Sequence, residues 1–248
     1  MKKKINKNIT LVGVNHNSKK SYKEVKQVIR KEKPQVIGWE LDRDRFNALI
    51  NGSHSSINLP FSLVLFLFMS FLYNFNKRNI KKKRGVNIKF ALKYAFKNDC
   101  NILLLDKICK DSIKDFKNKI TVKEKLKIIF KILFFPLLKP LKNKINKQNL
   151  SVSKVIEDEK ILEEYLNKVE KDFNTFYKTM VKKRNYFMSK MILYDYFKNE
   201  KNMIIIVGAA HFPGIYKQVK SEIQRFKSPL EIRMDIEEKF NCKILDNY

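Results

Sequence analysis

The stretch NITLVGVNHNSKKSYKEVKQVIRKEKPQVIGWEL, Asn8 to Leu41, decides the fold class. Its first seven residues, Asn8 to Val14, are apolar and β-branched, which predicts a buried strand. Lys20 to Lys31 then places Val25, Val28 and Ile29 at helical spacing, and Pro34 closes the connection. Gln35 to Leu41, QVIGWEL, is a second strand. Strand, helix and strand within so short a length form a βαβ unit with parallel strands. Working outward, Asp42 to Ile50 predicts a helix and NGSHSS a loop. Gly85 to Asn98 is amphipathic, with Ile88, Ala91, Leu92, Ala95 and Phe96 assigned to one face. Asn101 to Asp106, NILLLD, and Met203 to Gly208, MIIIVG, predict a third and a fourth buried strand. A helix is expected over Pro213 to Phe226, and the alternation in Leu230 to Met234, LEIRM, predicts an edge strand. The expectation is a single α/β domain over residues 1–248. It has a mostly parallel mixed sheet flanked by helices and a helical middle segment over about residues 107–201.

Composition narrows the function classes. The chain has 248 residues, 44% of them hydrophobic in patterned segments, so it can bury a core of its own. Cys100, Cys109 and Cys242 form no C-x-x-C pair, which excludes a zinc ribbon and fits a reducing cytosol. The net charge of +28 points to polyanions, either nucleic acid or an anionic membrane surface. Only eight of the 53 basic residues are arginine, and no recognition helix or finger motif is present. Nucleic-acid binding is therefore not the expected main function. The apolar run Ile9 to Val14 is too short for a signal sequence, so a cytoplasmic protein is expected. Leu59 to Phe75 holds no charge but only reaches the lower limit for a span, and it reads as a buried helix. Ile128 to Leu141 carries Lys131, Lys139 and two prolines and should not span. The basic clusters that follow, Lys77 to Arg84 and Lys139 to Lys147, suit at most a peripheral contact with anionic membrane.

The chemistry concentrates at strand ends. The first strand ends in Gly13-x-x-His16 and the fourth in Gly208-x-x-His211. The glycine is expected to let the chain turn sharply, with the histidine pointing back over the strand end. The second strand delivers Glu40 and Asp42, and the third delivers Asp106. In an open α/β sheet, loops converge at the carboxyl ends of neighbouring strands, so these side chains are expected at one edge. Two imidazoles and up to three carboxylates there could bind a divalent metal. The bland alternatives are hydrogen-bonded structural histidines, and helix N-caps for residues such as Asp42. His54, in its polar loop, reads as surface.

The same residues resemble the TraB/PrgY family. LVGVNH matches its opening strand with G-x-x-H, and KPQVIGWELDRDRF matches its P-D-V-V-x-V-E-L-D-x-x-R segment. GVNIKFALKYA, LLLDK and KRNYFM follow in order, and IIVGAAHFPGIYKQV is nearly the complete closing motif V-V-G-A-G-H-x-x-G-I. Through this resemblance the chain is grouped with Tiki proteases and erythromycin-esterase-like proteins, whose activity is assigned to paired G-x-x-H motifs with acidic partners and Mn or Co. The resemblance implies that His16, Glu40 and His211 are metal ligands or acid/base groups, with Mn, Co or Zn as the ion. Asp42 and Arg184 would support them or touch substrate. It departs from the family at Asn87, where Glu is usual, at Lys107, where Arg is usual, and at Lys183 and Asn185, where Glu and Asp flank the arginine. Lost carboxylates weaken metal affinity and any general base. The implied function is a metal-dependent hydrolase acting on peptides, in which Glu40 or Asp42 moves the proton. The alternative is a non-catalytic protein that captures peptides or docks on anionic membrane.

Overall fold

The computed structural model describes residues 1–15, 18–51, 86–107, 109–128, 130, 158–226, 228–240, 242 and 244. Five strands form one sheet: β1 Lys2–Lys4, β2 Ile9–Val14, β3 Val36–Trp39, β4 Asn101–Leu104 and β5 Met203–Gly208. Their order is β1-β2-β5-β3-β4. β1 pairs with β2 antiparallel, while β2, β5, β3 and β4 are mutually parallel. The mostly parallel mixed sheet expected from the sequence is present. Strands β2 and β3 are parallel as expected, but they do not touch, because β5 is inserted between them.

Alternation along the strands feeds two cores. On one face Ile9, Leu11, Met203, Ile205 and Val207 pack against helices Lys183–Asn199, Phe212–Glu222 and Pro229–Phe240, through residues such as Met188, Phe212 and Ile232. On the other face Val12, Val14, Ile37, Trp39, Ile204 and Ile206 pack against Lys19–Glu32 and Val86–Lys97, through Val25, Ile29, Ile88 and Ala91. Helices on both faces are what strands apolar on both sides require.

Three expectations change, and one element is added. Leu230 to Met234 is no edge strand but part of helix Pro229–Phe240. Its buried residues are Ile232 and Ile236, four apart on one helical face, and Pro229 stands at the first position, where it lacks no hydrogen bond. The basic chain start, to which no element was assigned, forms β1. Phe96 leaves the apolar face assigned to it and is 76% exposed, whereas Ile88, Ala91 and Ala95 are buried. Gly13 lies inside β2 rather than at a turn, and its use is space: a Cβ there would come within 2.8 Å of the Phe212 ring.

No helix among the described residues is long and apolar enough to cross a membrane. The runs Leu59 to Phe75 and, from residue 131 on, Ile128 to Leu141 lie outside the described residues, as does His54.

Candidate functional site

Register brings the strand-end residues together. Trp39 pairs with Ile206, and the Glu40 N–H continues the ladder by donating to the Ile206 carbonyl at 3.1 Å. β5 runs two residues further, so the Gly208 N–H meets the Glu40 side chain and donates to Oε2 at 2.5 Å. On the other side of β3, Leu104 pairs with Trp39, and the Asp106 N–H reaches the Leu41 carbonyl at 3.3 Å. After β5 the chain makes one tight turn, Ala209–His211, that leads into helix Phe212–Glu222 and buries His211 at the end of the central strand.

Arg184 joins two of these strands. Its Nη2 donates to Glu40 Oε1 at 2.6 Å and to Asp106 Oδ2 at 2.7 Å, and its Nε donates to Asp106 Oδ1 at 3.1 Å. The Asp106 side chain is 0% exposed and the Arg184 side chain 15%, so this is a largely desolvated pair. Arg45 adds a second guanidinium to Asp106 Oδ2 at 2.7 Å. Arg184 stands just past a π-helical stretch, Lys178–Lys182, that links Asn174–Tyr177 to Lys183–Asn199. Such a stretch rotates the residues that follow it relative to a regular helix, and it is common beside functional sites.

His211 is held from both ring nitrogens. Its Nδ1 lies 2.6 Å from Asn185 Oδ1, and its Nε2 lies 3.4 Å from Glu40 Oε1. With the Asn185 oxygen as acceptor, Nδ1 carries a proton, and Nε2 is the nitrogen that faces Glu40. Asn185 is itself placed by Gly214, where any Cβ would fall 2.1 Å from Asn185 Nδ2.

The structure thus brings Glu40, Arg184, His211 and Asp106 into one cluster. Asp42, by contrast, is the N-cap of helix Arg43–Ile50: its Oδ1 accepts from the Arg45 N–H at 2.8 Å and its Oδ2 from Arg45 Nε at 2.5 Å. His16 lies outside the described residues. Among the described residues no three His, Cys, Asp or Glu side chains converge as a ligand group. Of the positions where the chain departs from the family pattern, Lys183 pairs with Asp115 at 2.6 Å, outside the cluster. Burial would raise the Asp115 carboxyl, but hydrogen bonds from Lys119 and Lys183 outweigh it and hold the group below the ordinary range. Lys107 lies 5.6 Å from the Phe240 ring. The Asn87 side chain is outside those described. Arg45 and Gly214 stand at fixed positions of the motifs quoted above but were given no role, and Asn185 was read only as a lost carboxylate. Arg45 carried a further signal, its i+3 spacing from an N-cap aspartate; Gly214 carried only its place in the closing motif, and Asn185 none beyond the motif around it.

The uncharacterized protein MJ1365 of Methanocaldococcus jannaschii is 28% identical over 222 residues, which is 86% of this chain and 53% of that protein. The chain therefore spans about half the length of the curated relative it matches. A profile of the TraB/PrgY/gumN family matches residues 84–224, more than half of the chain and inclusive of Asp106, Arg184, His211 and Gly214. The chain belongs to the TraB/PrgY/gumN family.

Proposed function

We propose that the chain is a metal-dependent hydrolase acting on peptides, with Glu40 and His211 as two of its ligands and His16 as the third. The observation that carries this reading is the Glu40 Oε1 to His211 Nε2 separation of 3.4 Å, with the far ring nitrogen of His211 on Asn185. Two ligand atoms that each sit about 2.1 Å from one tetrahedral ion are about 3.4 Å apart. A histidine ligand ordinarily donates its other N–H to an oxygen that fixes its tautomer, which is the place Asn185 Oδ1 takes. A divalent ion bound there would polarise a carbonyl and lower the pKa of its water. The Gly208 N–H steadies Glu40 Oε2 and leaves Oε1 directed at His211. Arg184 anchors Glu40 to Asp106, so the carboxylate is oriented before any ligand arrives. Calorimetric titration with Mn, Co and Zn is the test. One ion per chain, lost in His211→Ala and in Glu40→Gln with the fold retained, supports the reading. No isotherm for the unaltered chain overturns it.

A second reading, peptide capture without catalysis, is favoured by one observation. The guanidinium of Arg184 stands 2.6 Å from the same Glu40 oxygen that faces His211, and Asp106 receives both Arg184 and Arg45. These carboxylates already have their countercharges, and a metal would have to share Glu40 with a cation. Peptide retention without cleavage, in a preparation that binds no metal, would establish this reading in place of the first.

A further inference from the structure

The short helix over residues 122–128 presents a surface that the candidate site does not use. Its start is closed reciprocally: the Glu124 N–H donates to Thr121 Oγ1 at 3.2 Å, and the Thr121 N–H donates to Glu124 Oε2 at 3.3 Å. Three contacts then determine which face turns inward. Glu124 Oε1 accepts from the Thr175 N–H at 2.8 Å, and Lys127 Nζ donates to Asp172 Oδ1 at 2.7 Å. Ile128 is buried in a cluster with Phe116, Val169, Phe173 and Phe176. Residues four apart share a helical face. The face turned away from these anchors therefore carries Val122, Leu126 and Phe130, which are 70%, 63% and 59% exposed. By helical spacing Lys123 and Lys125, both exposed, border that row on either side.

We propose that this apolar row and its bordering lysines form a contact for an anionic lipid surface, with the helix lying in the plane of the interface. An apolar stripe between cationic flanks is how an amphipathic helix seats its side chains below the headgroups while its lysines meet their phosphates. The chain's net charge of +28 draws it toward such a surface. Charge argues against a second copy as the occupant, because stacking two such rows would bring like-charged lysine borders together. Area argues the same way: a stable protein interface buries about 1,200 Å² or more, well beyond three side chains. The proposal is independent of the metal reading.

The test uses the full chain and vesicles of phosphatidylcholine alone or with about 30% phosphatidylserine. Because +28 charges attract any anionic vesicle, the deciding variant leaves charge unchanged: Val122→Ser, Leu126→Ser and Phe130→Ser together. Sedimentation should show the unaltered chain on anionic vesicles and not on neutral ones. Affinity should fall at least about tenfold in the triple variant, with its circular dichroism unaltered. In a separate Leu126→Trp variant, the new indole emission should shift to the blue on anionic vesicles. Equal binding by the triple variant, or no shift at position 126, overturns the proposal and leaves charge alone as the attraction. A dimer in light scattering that the triple variant loses also overturns it, in favour of a second copy.

Discussion

Gly214 and Asn185 act as one device at the residue scale. Alanine in place of glycine within a helix ordinarily stabilises by about 1 kcal/mol. Here the added Cβ would lie 2.1 Å from Asn185 Nδ2 and 3.1 Å from its Cγ, so the amide must swing away. His211 Nδ1, which is buried, then loses its partner at a cost of about 1–3 kcal/mol. The second effect is the larger, so Gly214→Ala is expected to destabilise the chain, and urea denaturation gives the sign. A net gain in stability would mean that Asn185 does not hold His211. Arg184 is the costlier residue to remove. Arg184→Ala takes the guanidinium from Glu40, whose side chain is 10% exposed, and leaves Asp106, at 0%, with Arg45 as its remaining countercharge, a loss of up to roughly 3–5 kcal/mol. Arg184→Lys should recover only part, because an ammonium cannot reproduce the fork that spans both carboxylates. A loss below about 1 kcal/mol in thermal melts would show that the pair is solvated rather than structural.

At the scale of elements, one carboxylate ties the first strand to the first helix. Glu32, at the end of helix Lys19–Glu32, pairs with Lys2 of β1 at 2.5 Å. Burial alone would raise its carboxyl, but hydrogen bonds from Lys2 and Thr10 and the charges of Lys2 and Lys4 outweigh that and depress it. A depressed carboxylate contributes stability above its unfolded value of about 4.3 and loses it as pH falls through the folded value. The expected contribution at neutral pH is roughly 1 kcal/mol, since the Lys2 side chain is 40% exposed and water screens the pair. Glu32→Gln should therefore be less stable than the parent chain at pH 7, and the two should converge as pH falls through the folded value. Denaturation at pH 7 and along an acid series checks this, and a gap that persists in acid would remove the ion pair as its cause. The same helix is capped by Ser18, which accepts from the Lys20 and Ser21 N–H groups.

At the scale of the whole molecule, charge and topology act separately. The imbalance of 53 basic against 25 acidic residues repels itself at low ionic strength, where the Debye length is about 30 Å. Raising salt from roughly 0.01 M to 0.15 M shortens that length to about 8 Å and should raise the thermal midpoint. Scanning calorimetry across that range tests it, and a midpoint that falls would mean local pairs such as Lys3–Glu159 and Lys127–Asp172 outweigh the global repulsion. Topology determines the site. Because β5 lies between β2 and β3, the loop carrying His211 leaves the sheet beside the strand that carries Glu40.

The four parallel strands, the first helix, the N-cap at Asp42 and the family's closing motif were legible in the amino-acid sequence, because each depends on residues close together in the chain. Apolar β-branched runs between turn signals have few other uses, and an aspartate before a helix caps it wherever the helix goes. Other features were decided only by tertiary structure. The alternation of Leu230 to Met234 fits a strand locally, yet Ile232 and Ile236 pack as one helical face against the core. Whether a short segment of this kind is helix or strand depends on the surface that receives it. The cluster at the strand ends is the clearest case. Asn185 meets His211 across 26 residues, Arg184 meets Glu40 across 144, and the Gly208 N–H meets Glu40 across 168. The residue types at those positions came from the sequence, but which of them pair came from β5 entering the centre of the sheet, since hydrogen bonds between such distant residues form only once strand order and register have brought them within 3 Å or so of one another.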